Sequence, residues 1–382
     1  MSDTMRPSLP LAELDTLFAE ALSQGVFPGA VFGLACGPPA ARRTTVKAYG
    51  NLWASRLPGS ENQAMHKGVI FDLASLTKPL ATVLATLCLK QRGLIHLNDR
   101  LPDLLNQPVP ADKRAITLAQ LLRHASGLPA HRPYFESLRD LPAARRRDAL
   151  LTMLLAEPLE SAPGSKAVYS DLGFILLGRI IEEIANEPLD GFVARWLYGP
   201  LGLQEKIAFN PLGSPVFETG TMFAPTEDCP WRGKVLQGEV HDDNAHALGG
   251  VAGRAGLFGT AGAVLTLVRF LLDLIQGQTS HPHLAAADLQ EAVRRANAQA
   301  DSTWGLGFDT PAASQSSAGQ LLSRQSFGHL GFTGTSFWCD PARDLSVVLL
   351  TNRVHPSRHN ALIRDFRPRF HDAVARSCDA TP

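Results

Sequence analysis

Ser75-Leu76-Thr77-Lys78 places a hydroxyl and an amine three positions apart, just where a helical pattern of apolar residues begins. A serine hydroxyl is a poor nucleophile until a neighbouring base takes its proton. Residues at positions i and i+3 of a helix lie on one face, so the Lys78 amine is within reach of the Ser75 hydroxyl. The stretch therefore predicts a nucleophile with its base. The alternative interpretation is a helix-capping serine followed by a solvated lysine.

Periodicity outward from this stretch predicts strands at both ends of the chain and helices between them. A Gly-Pro-Pro turn after residue 36 indicates a hairpin between the first two strands. The predicted helices are 11–24, 78–92, 117–124, 148–156, 172–185, 189–197, 259–275 and 359–376. The predicted strands are 29–36, 44–50, 304–308, 325–330, 335–339 and 345–350.

Strands from both ends of the chain predict one antiparallel sheet flanked by helices, with a helical insert region, so the expected fold class is α+β. At 382 residues the chain is larger than one typical domain. We expect residues 1–80 and 245–382 to form an α/β sheet domain and residues 81–244 a mainly helical domain. The active site is expected between the two.

Composition excludes several classes of protein. Apolar residues make up 45% of the chain and charged residues 19%, and basic and acidic residues balance at 36 each, so no basic face for nucleic acid is indicated. Neither an 18-residue apolar stretch nor a signal-like N-terminal run is present, which predicts no membrane span and a cytoplasmic location. The five scattered cysteines indicate neither a disulfide scaffold nor a zinc ribbon.

Two further strings contain chemically useful side chains. Tyr169-Ser170-Asp171 follows a Pro-Gly turn and precedes an apolar helix, so it presents a phenol, a hydroxyl and a carboxylate on one turn. Its structural alternative is a helix N-cap by Ser170 or Asp171. His329-Leu330-Gly331 lies at the edge of a predicted strand, where glycine permits close approach of a substrate, and its alternative is a strand bend.

In this order, the three strings resemble the signature of the penicillin-recognising serine hydrolases, Ser-x-x-Lys, Tyr-x-Asn and Lys-Thr-Gly or His-x-Gly. That superfamily includes class C β-lactamases, penicillin-binding proteins with peptidase activity and the family VIII esterases. The stretches 121–128, 249–259 and 304–307 are also similar, so the resemblance covers about 27–352.

The resemblance implies a β-lactamase/transpeptidase-like fold and an acyl-enzyme mechanism without a metal or organic cofactor. Ser75 is the implied nucleophile, Lys78 or Tyr169 its base, and Tyr169 the acid for the leaving group. Phenol and ammonium both titrate near ~10 in water, so either acts as a base only if its neighbours lower its pKa. The implied oxyanion hole consists of the backbone N–H groups of Ser75 and Phe332.

Two departures from the signature change which substrate is expected. Asp171 stands where many relatives have asparagine, and His329 stands where carboxylate-binding relatives have lysine. An imidazole with a pKa near ~6.5 supplies that positive charge only in part, so Arg254 and Arg353 are the candidates to replace it. Penicillin and D-Ala-D-Ala cleavage are accordingly less expected. The predicted substrate-binding residues are Asp171, His329, Gly331, Arg254 and Arg353.

Stretches 224–227 and 238–245 look most like the branch of cell-wall recycling amidases and penicillin-binding protein 4B. We therefore expect a small-molecule substrate with an amide or ester bond, from peptidoglycan fragments or D-amino acids. A carboxylesterase is the main alternative, and the sequence leaves the oligomeric state open. Less expected are a non-catalytic binding protein and a metal-dependent hydrolase using His241, Asp242 and His246.

Overall fold

The computed structural model describes residues 9–54, 63–296 and 302–379. Residues 1–8, on which the expectation about a signal segment partly rests, lie outside the described part. The fold class is α+β, as the sequence predicts. Its strands are β1 (Gly29–Cys36), β2 (Arg43–Gly50), β3 (Phe71–Asp72), β4 (Ile207–Phe209), β5 (Asp228–Cys229), β6 (Lys234–Val235), β7 (Leu257–Gly259), β8 (Phe327–Leu330), β9 (Ser336–Asp340) and β10 (Leu345–Thr351).

The main sheet combines strands from both ends of the chain. Its order is β2-β1-β10-β9-β8, and every neighbouring pair is antiparallel. A smaller sheet of order β3-β7-β4 lies beside it. Strand β3 ends just before the Ser75 turn, and β8 ends in the His329 string. The two sheets thus bring two of the three predicted motifs to one region.

Helices cover the sheet and fill the middle of the chain. Short 3-10 segments occur at Pro39–Ala41, Ala74–Leu76, Ala111–Lys113 and Gly199–Leu201, and π-helical turns at Lys78–Val83 and Ala194–Tyr198. The α-helices are α1 (Ala12–Ser23), α2 (Leu84–Gln91), α3 (Leu101–Leu104), α4 (Leu118–Leu122), α5 (Phe135–Leu138), α6 (Ala143–Ala156), α7 (Asp171–Ala185), α8 (Leu189–Val193), α9 (Asp243–Ala247), α10 (Ala261–Ile275), α11 (Ala286–Val293) and α12 (Ile363–Asp379).

Strand β1 is buried on both faces, so its apolar run serves two cores. Val31 and Ala35 face the large core that includes α10 and the central helices. Phe32 and Leu34 face a second core, built with α1 and α12. Side chains alternate along a strand, and an uninterrupted apolar run is what burial on both faces requires.

Several predicted elements differ from the structure. The helix predicted at 148–156 begins at Ala143, the helix predicted at 189–197 becomes π-helical at Ala194, and the closing helix predicted at 359–376 is Ile363–Asp379. Residues 304–308 form no strand, because Gly305 donates its N–H to the Phe308 carbonyl at 2.9 Å and Gly307 adopts a φ of 73°, which turns the chain back on itself. Only single bridges, Trp304 to Asp309 and Asp309 to Gly328, remain there. The helix predicted at 78–92 is real, but its first turn is π-helical and regular α-helix begins at Leu84.

No helix among the described residues is long and apolar enough to cross a membrane. The cytoplasmic location stays a prediction. The division into domains of 1–80 with 245–382 and of 81–244 also stays a prediction.

Candidate active site

Ser75 lies in a tight turn between β3 and the following helix. The preceding Ala74 has a φ of 49°, a left-handed conformation that residues other than glycine rarely adopt. Buried Asp72 holds the turn, because its Oδ1 accepts from the Ala74 N–H at 2.8 Å and its Oδ2 from the His241 N–H at 2.7 Å. Backbone strain of this kind persists only where surrounding contacts enforce it. The sequence analysis missed Asp72.

Lys78 is fully buried beneath Ser75. Its Nζ donates to Ser75 Oγ at 3.1 Å, to Asp171 Oδ1 at 2.9 Å and to the Arg254 carbonyl at 3.4 Å. An ammonium group has three hydrogens, so each has an acceptor. The i, i+3 spacing of the sequence therefore produces the expected contact with serine, with the lysine as donor.

Asp171 begins α7 and faces two cations. Its Oδ1 accepts from Lys78, and its Oδ2 lies 2.6 Å from Arg254 Nη1 and 3.5 Å from His131 Nδ1. Burial alone would raise the pKa of the Asp171 carboxyl, but the charges of Arg254 and Lys78 outweigh it and hold that pKa well below its usual range. Asp171 is thus an ionised acceptor for Lys78 and Arg254.

Ser170 confirms that the second string also caps a helix. Its hydroxyl accepts from the Gly173 N–H at 3.2 Å and donates to the Pro129 carbonyl at 2.7 Å. The cap fixes the start of α7 and therefore the backbone from which the Tyr169 and Asp171 side chains project. The structural and functional interpretations of this string are therefore compatible.

Arg254 is buried and its charge is already balanced. Besides Asp171, its guanidinium pairs with Asp242, and Asp242 also caps α9 by accepting from the Ala245 N–H at 2.7 Å. An arginine flanked by two carboxylates leaves little net positive charge for a substrate. The structure thus places Arg254 in the wall of the site, but not as a free cation.

Tyr169 lies among aromatic rings that the sequence did not assign to the site. The ring centroids of His124 and Trp304 lie 4.7 and 5.4 Å from its own, and Lys78 Nζ lies 4.8 Å from the Tyr169 centroid. The Ser170 N–H donates to His124 Nδ1 at 3.1 Å. Burial, followed by the charge of Lys78, holds the His124 pKa well below its usual value, so this ring is neutral. His124 and Trp304 lie in stretches that were noted only for family likeness.

His329 is buried at the end of β8, and burial with the nearby charge of Lys78 lowers its pKa to about 3. Its Nδ1 donates to the Leu330 carbonyl at 2.7 Å. The imidazole is therefore neutral near pH 7. The partial positive charge expected of His329 from the sequence is absent at that pH, because desolvation disfavours the charged form.

A turn at 331–335 follows β8 and faces Ser75. The Thr333 hydroxyl donates to the Asp72 carbonyl at 2.8 Å, and the Thr335 hydroxyl to the Leu73 carbonyl at 3.1 Å. These bonds tie the turn to the backbone just ahead of the nucleophile. Gly331 is required here, because a Cβ on it would stand 1.9 Å from Thr335 Oγ1 and 2.7 Å from the Leu73 oxygen. Both threonines were missed from the sequence.

Phe332 is half exposed in this turn, and an imidazole ring and a guanidinium group lie against its ring. His241 stacks on it at 5.6 Å, and the Arg353 guanidinium lies 4.5 Å from its ring centroid. Arg353 Nε also donates to the Phe332 carbonyl at 2.8 Å, and its Nη1 to the Arg358 carbonyl at 3.0 Å. The donors of Arg353 are thus directed at backbone, and its contact with a substrate stays a prediction.

The candidate metal ligands do not converge. His241 Nε2 lies 3.2 Å from Glu227, His246 Nδ1 lies 3.9 Å from Glu239, and Asp242 pairs with Arg254. Across residues 9–54, 63–296 and 302–379, no group of three His, Cys, Asp or Glu side chains is placed to hold a metal ion. The three residues have separate structural partners.

One cleft of about 830 Å³ brings nearly all the predicted residues together. Lys78 lies beneath it, in contact with Ser75. Trp304, His131, Arg364 and Arg367 line it too, although the sequence did not single them out. The predicted residues along its wall are Ser75, Tyr169, Asp171, Arg254, His329, Gly331, Phe332 and Arg353.

Comparisons with known proteins agree with this geometry. The family model described as Beta-lactamase matches residues 14–367. A protein of Escherichia coli (strain K12), named as a D-alanyl-D-alanine carboxypeptidase, is 32% identical over 307 residues, which is 75% of this chain and 70% of that protein.

Solved structures share the fold at lower identity. EstCE1, described as a hydrolase with promiscuous acyltransferase activity, is 23% identical, with a TM-score of 0.68 over 93% of this chain and 97% of its own. Simvastatin synthase (LovD) from Aspergillus terreus is 19% identical, with a TM-score of 0.73 over 98% of this chain and 100% of its own. At these identities the likeness shows the fold alone.

Proposed function

The chain belongs to the beta-lactamase family of serine hydrolases, and on that premise we propose that it cleaves an ester or amide bond of a small molecule through an acyl-enzyme on Ser75. The observation that supports this most is the 3.1 Å contact between Lys78 Nζ and Ser75 Oγ at the base of a cleft. Nucleophilic serine needs such a neighbour and an accessible carbonyl.

Tyr169 is the proposed proton acceptor. Lys78 Nζ has three acceptors, among them the ionised Asp171, and it donates to Ser75 Oγ. Tyr169, as a phenolate, takes the serine proton as Oγ bonds to the carbonyl carbon, and the resulting phenol gives that proton to the departing oxygen or nitrogen. Water then attacks the carbonyl carbon of the acyl-enzyme through the same proton transfers. The carboxylic acid product leaves, and the Ser75 hydroxyl is restored. Lys78 as the base is the alternative.

The negative oxygen of the tetrahedral intermediate is proposed to bind the N–H groups of Ser75 and Phe332. Fixed donors of this kind are typically worth ~3–4 kcal/mol of the barrier. The turn 331–335 is tied to the Ser75 backbone by Thr333 and Thr335. This arrangement supports a fixed spacing between the two donors.

The proposed substrate is peptidoglycan-derived or contains a D-amino acid. What supports it is the name of the E. coli relative, a D-alanyl-D-alanine carboxypeptidase. A carboxylesterase is the second candidate, and one observation favours it: His329 is neutral and the charge of Arg254 is balanced, so neither offers a free cation for a substrate carboxylate.

Covalent labelling tests the nucleophile. A fluorophosphonate should modify the wild-type protein at Ser75, and Ser75→Ala should not react, whereas the exposed serine variant Ser137→Ala should label normally. Mass spectrometry of the labelled peptide gives the site. Modification of Ser75→Ala to the wild-type level would remove Ser75 from the proposed mechanism.

A hydrolysis panel separates the two candidate substrates. It comprises p-nitrophenyl esters, a chromogenic cephalosporin, D-aminoacyl anilides and muramyl peptides. Preference for the last two, by kcat/KM, supports the D-amino-acid proposal. Turnover of short neutral esters alone supports the carboxylesterase.

A further inference from the structure

We propose that Arg367, on the C-terminal helix α12, is a positioning residue that aims the Phe332 N–H at the reacting carbonyl oxygen. The proposal rests on the proposed acyl-enzyme function and extends it to a residue far from the three motifs. It explains why a buried cation stands beside the turn 331–335 with no carboxylate.

The cations of the opposite side of the cleft have acidic partners. Lys78 and Arg254 share Asp171, and Arg358 pairs with Glu227 and Asp243. Arg367, in contrast, is buried and forms no ion pair with any residue in the described part of the chain. Burying a cation without a counter-charge costs free energy, so backbone oxygens have to compensate for it.

Two carbonyl groups of the turn provide that compensation. Arg367 Nη2 donates to the Gly331 oxygen and to the Thr335 oxygen, each at 2.8 Å. Burial and the nearby charge of Arg353 lower the Arg367 pKa to about 9, which leaves the guanidinium charged at pH 7. Hydrogen bonds from a charged donor are about twice as strong as neutral ones.

The Gly331 carbonyl and the Phe332 N–H belong to the same peptide unit. In a trans peptide these two groups point in opposite directions. Because Arg367 binds the carbonyl from one side, the N–H is directed to the other. That N–H donates to no other group within residues 9–54, 63–296 and 302–379, as a donor reserved for substrate requires.

The charge of Arg367 also acts through the peptide. A cation bonded to the carbonyl oxygen draws electron density from the peptide nitrogen, and chains of hydrogen bonds strengthen one another in this way. The Phe332 N–H thereby becomes a stronger donor to a developing oxyanion. Its geometry and its polarity both depend on one side chain of α12.

Variants of Arg367 test this with matched ester and thionoester substrates. Arg367→Gln should lower kcat for the oxygen ester about 10-fold or more, with KM changed less than about 3-fold, because an oxyanion donor acts in the transition state. The thionoester, whose sulfur accepts hydrogen bonds weakly, should lose much less. Arg367→Lys should recover part of the loss, since an ammonium can still donate to the Gly331 carbonyl.

The control is Arg369→Gln, on the same helix, where an exposed arginine pairs with Glu20, and its kinetics should match the wild type.

Equal losses of ester and thionoester turnover in Arg367→Gln would overturn the proposal and leave Arg367 structural. If Arg367→Gln does not fold, the same ester-to-thionoester ratio in Arg367→Lys decides the question. An unchanged ratio there would also overturn it. Absence of Ser75 labelling in the wild type would instead refute the proposed function.

Discussion

The two walls of the cleft use buried cations in opposite ways. The first, which we call the ion-pair wall, consists of Lys78, Asp171, Arg254 and Asp242. The second, the carbonyl wall, consists of Arg353, Arg367 and the turn 331–335. In the ion-pair wall each cation faces a carboxylate. In the carbonyl wall the guanidinium groups donate to backbone oxygens.

The difference shows that the partner, and not the residue type, determines what an arginine does. A carboxylate balances the charge of the cation that it contacts, as Asp171 does for Lys78. A carbonyl compensates a buried cation with a hydrogen bond but adds no negative charge, and it fixes the orientation of a peptide. One wall is thus suited to proton transfer and the other to binding an oxyanion.

The largest effect is expected from Ser75, which lies between the two walls, and from its partner Lys78. Ser75→Ala and Lys78→Ala should each lower kcat about 10,000-fold or more, and the double variant should cost little more than either alone, since the two act as one unit. Ester hydrolysis and the unfolding temperature are the measurements. Ser75→Ala should unfold at nearly the wild-type temperature. Additive losses in the double variant would show that Lys78 acts independently of Ser75.

Tyr169→Phe should keep the ring packing and lose the phenolic oxygen that accepts and returns the proton. Proton transfer by a placed side chain typically contributes ~100- to 10,000-fold, so kcat should fall in that range. Tyr49→Phe is the matched control, because Tyr49 donates to Asp15 on the far side of the sheet. A Tyr169→Phe enzyme with most of its kcat would assign the base role to Lys78 and leave Tyr169 structural.

Asp171→Asn breaks the ion-pair wall and leaves the carbonyl wall intact. Removing one partner of a buried pair typically costs about 3 kcal/mol of unfolding free energy, because a buried charge is left without its counter-ion. The Asp171 pKa is lower in the folded state, so this stabilisation is present above the unfolded pKa near ~3.9 and is lost as the pH falls below it.

Urea unfolding at pH 7 and at acid pH checks both statements about Asp171. Asp148→Asn, which removes an exposed partner of Arg179, serves as the control and should change stability by less than about 1 kcal/mol. A wild-type-like Asp171→Asn at pH 7 would mean that Asp242 alone balances the charge of Arg254.

The smallest effect concerns His329, which lies where the two walls meet. With a pKa of about 3, set by burial and the charge of Lys78, His329 does not titrate between pH 5 and 8. The ratio of kcat/KM for an anionic ester to that for its neutral counterpart should therefore stay flat over that interval. A fall in the ratio as pH rises through ~6.5 would indicate that the His329 imidazole is protonated below that pH and attracts the anionic substrate.

The same low pKa affects stability. Unfolded histidine takes up a proton below ~6.5 that folded His329 does not, so folding stability should decrease as the pH falls from there. His329→Gln should make the pH dependence shallower, and unfolding curves at pH 7 and pH 5 measure it. An unchanged dependence would place the titrating groups elsewhere.

The fold was predicted from local sequence patterns, and the errors in that prediction have local causes. Hairpin strands β1 and β2 and helices α7 and α10 were predicted within one or two residues, because their apolar periodicity is strong. The strand predicted at 304–308 was wrong, because the positive φ of Gly307 overrides the apolar side chains around it. The π-helical turn after Ser75 was not predicted, because the apolar periodicity of 78–92 indicated a helix but not its type.

Spacing alone predicted contacts only where residues are near one another in the sequence, whereas Tyr169, Asp171 and His329 were assigned to the site from the resemblance of their motifs. Ser75 and Lys78 are one helical turn apart, and a motif of that length fixes their contact. His124, Thr335 and Arg367 were missed, because each reaches the site from a distant part of the chain and has an ordinary local context. Asp72 is only three residues from Ser75, but part of its role is a bond to the distant His241 N–H, which the local sequence does not indicate. Their roles come from hydrogen bonds that form only after the strands and α12 are packed.

The sequence by itself determined the fold class and the Ser75–Lys78 motif, since periodicity and short spacings are local properties of the chain, and the resemblance of its three motifs indicated the beta-lactamase family. Only the tertiary structure decided the charge states. It made His329 neutral, kept Asp171 ionised and, within the described residues, gave Arg367 carbonyl partners and no carboxylate. The physical reason is that burial and the distance to opposite charges set a pKa, and neither quantity exists before the chain has folded.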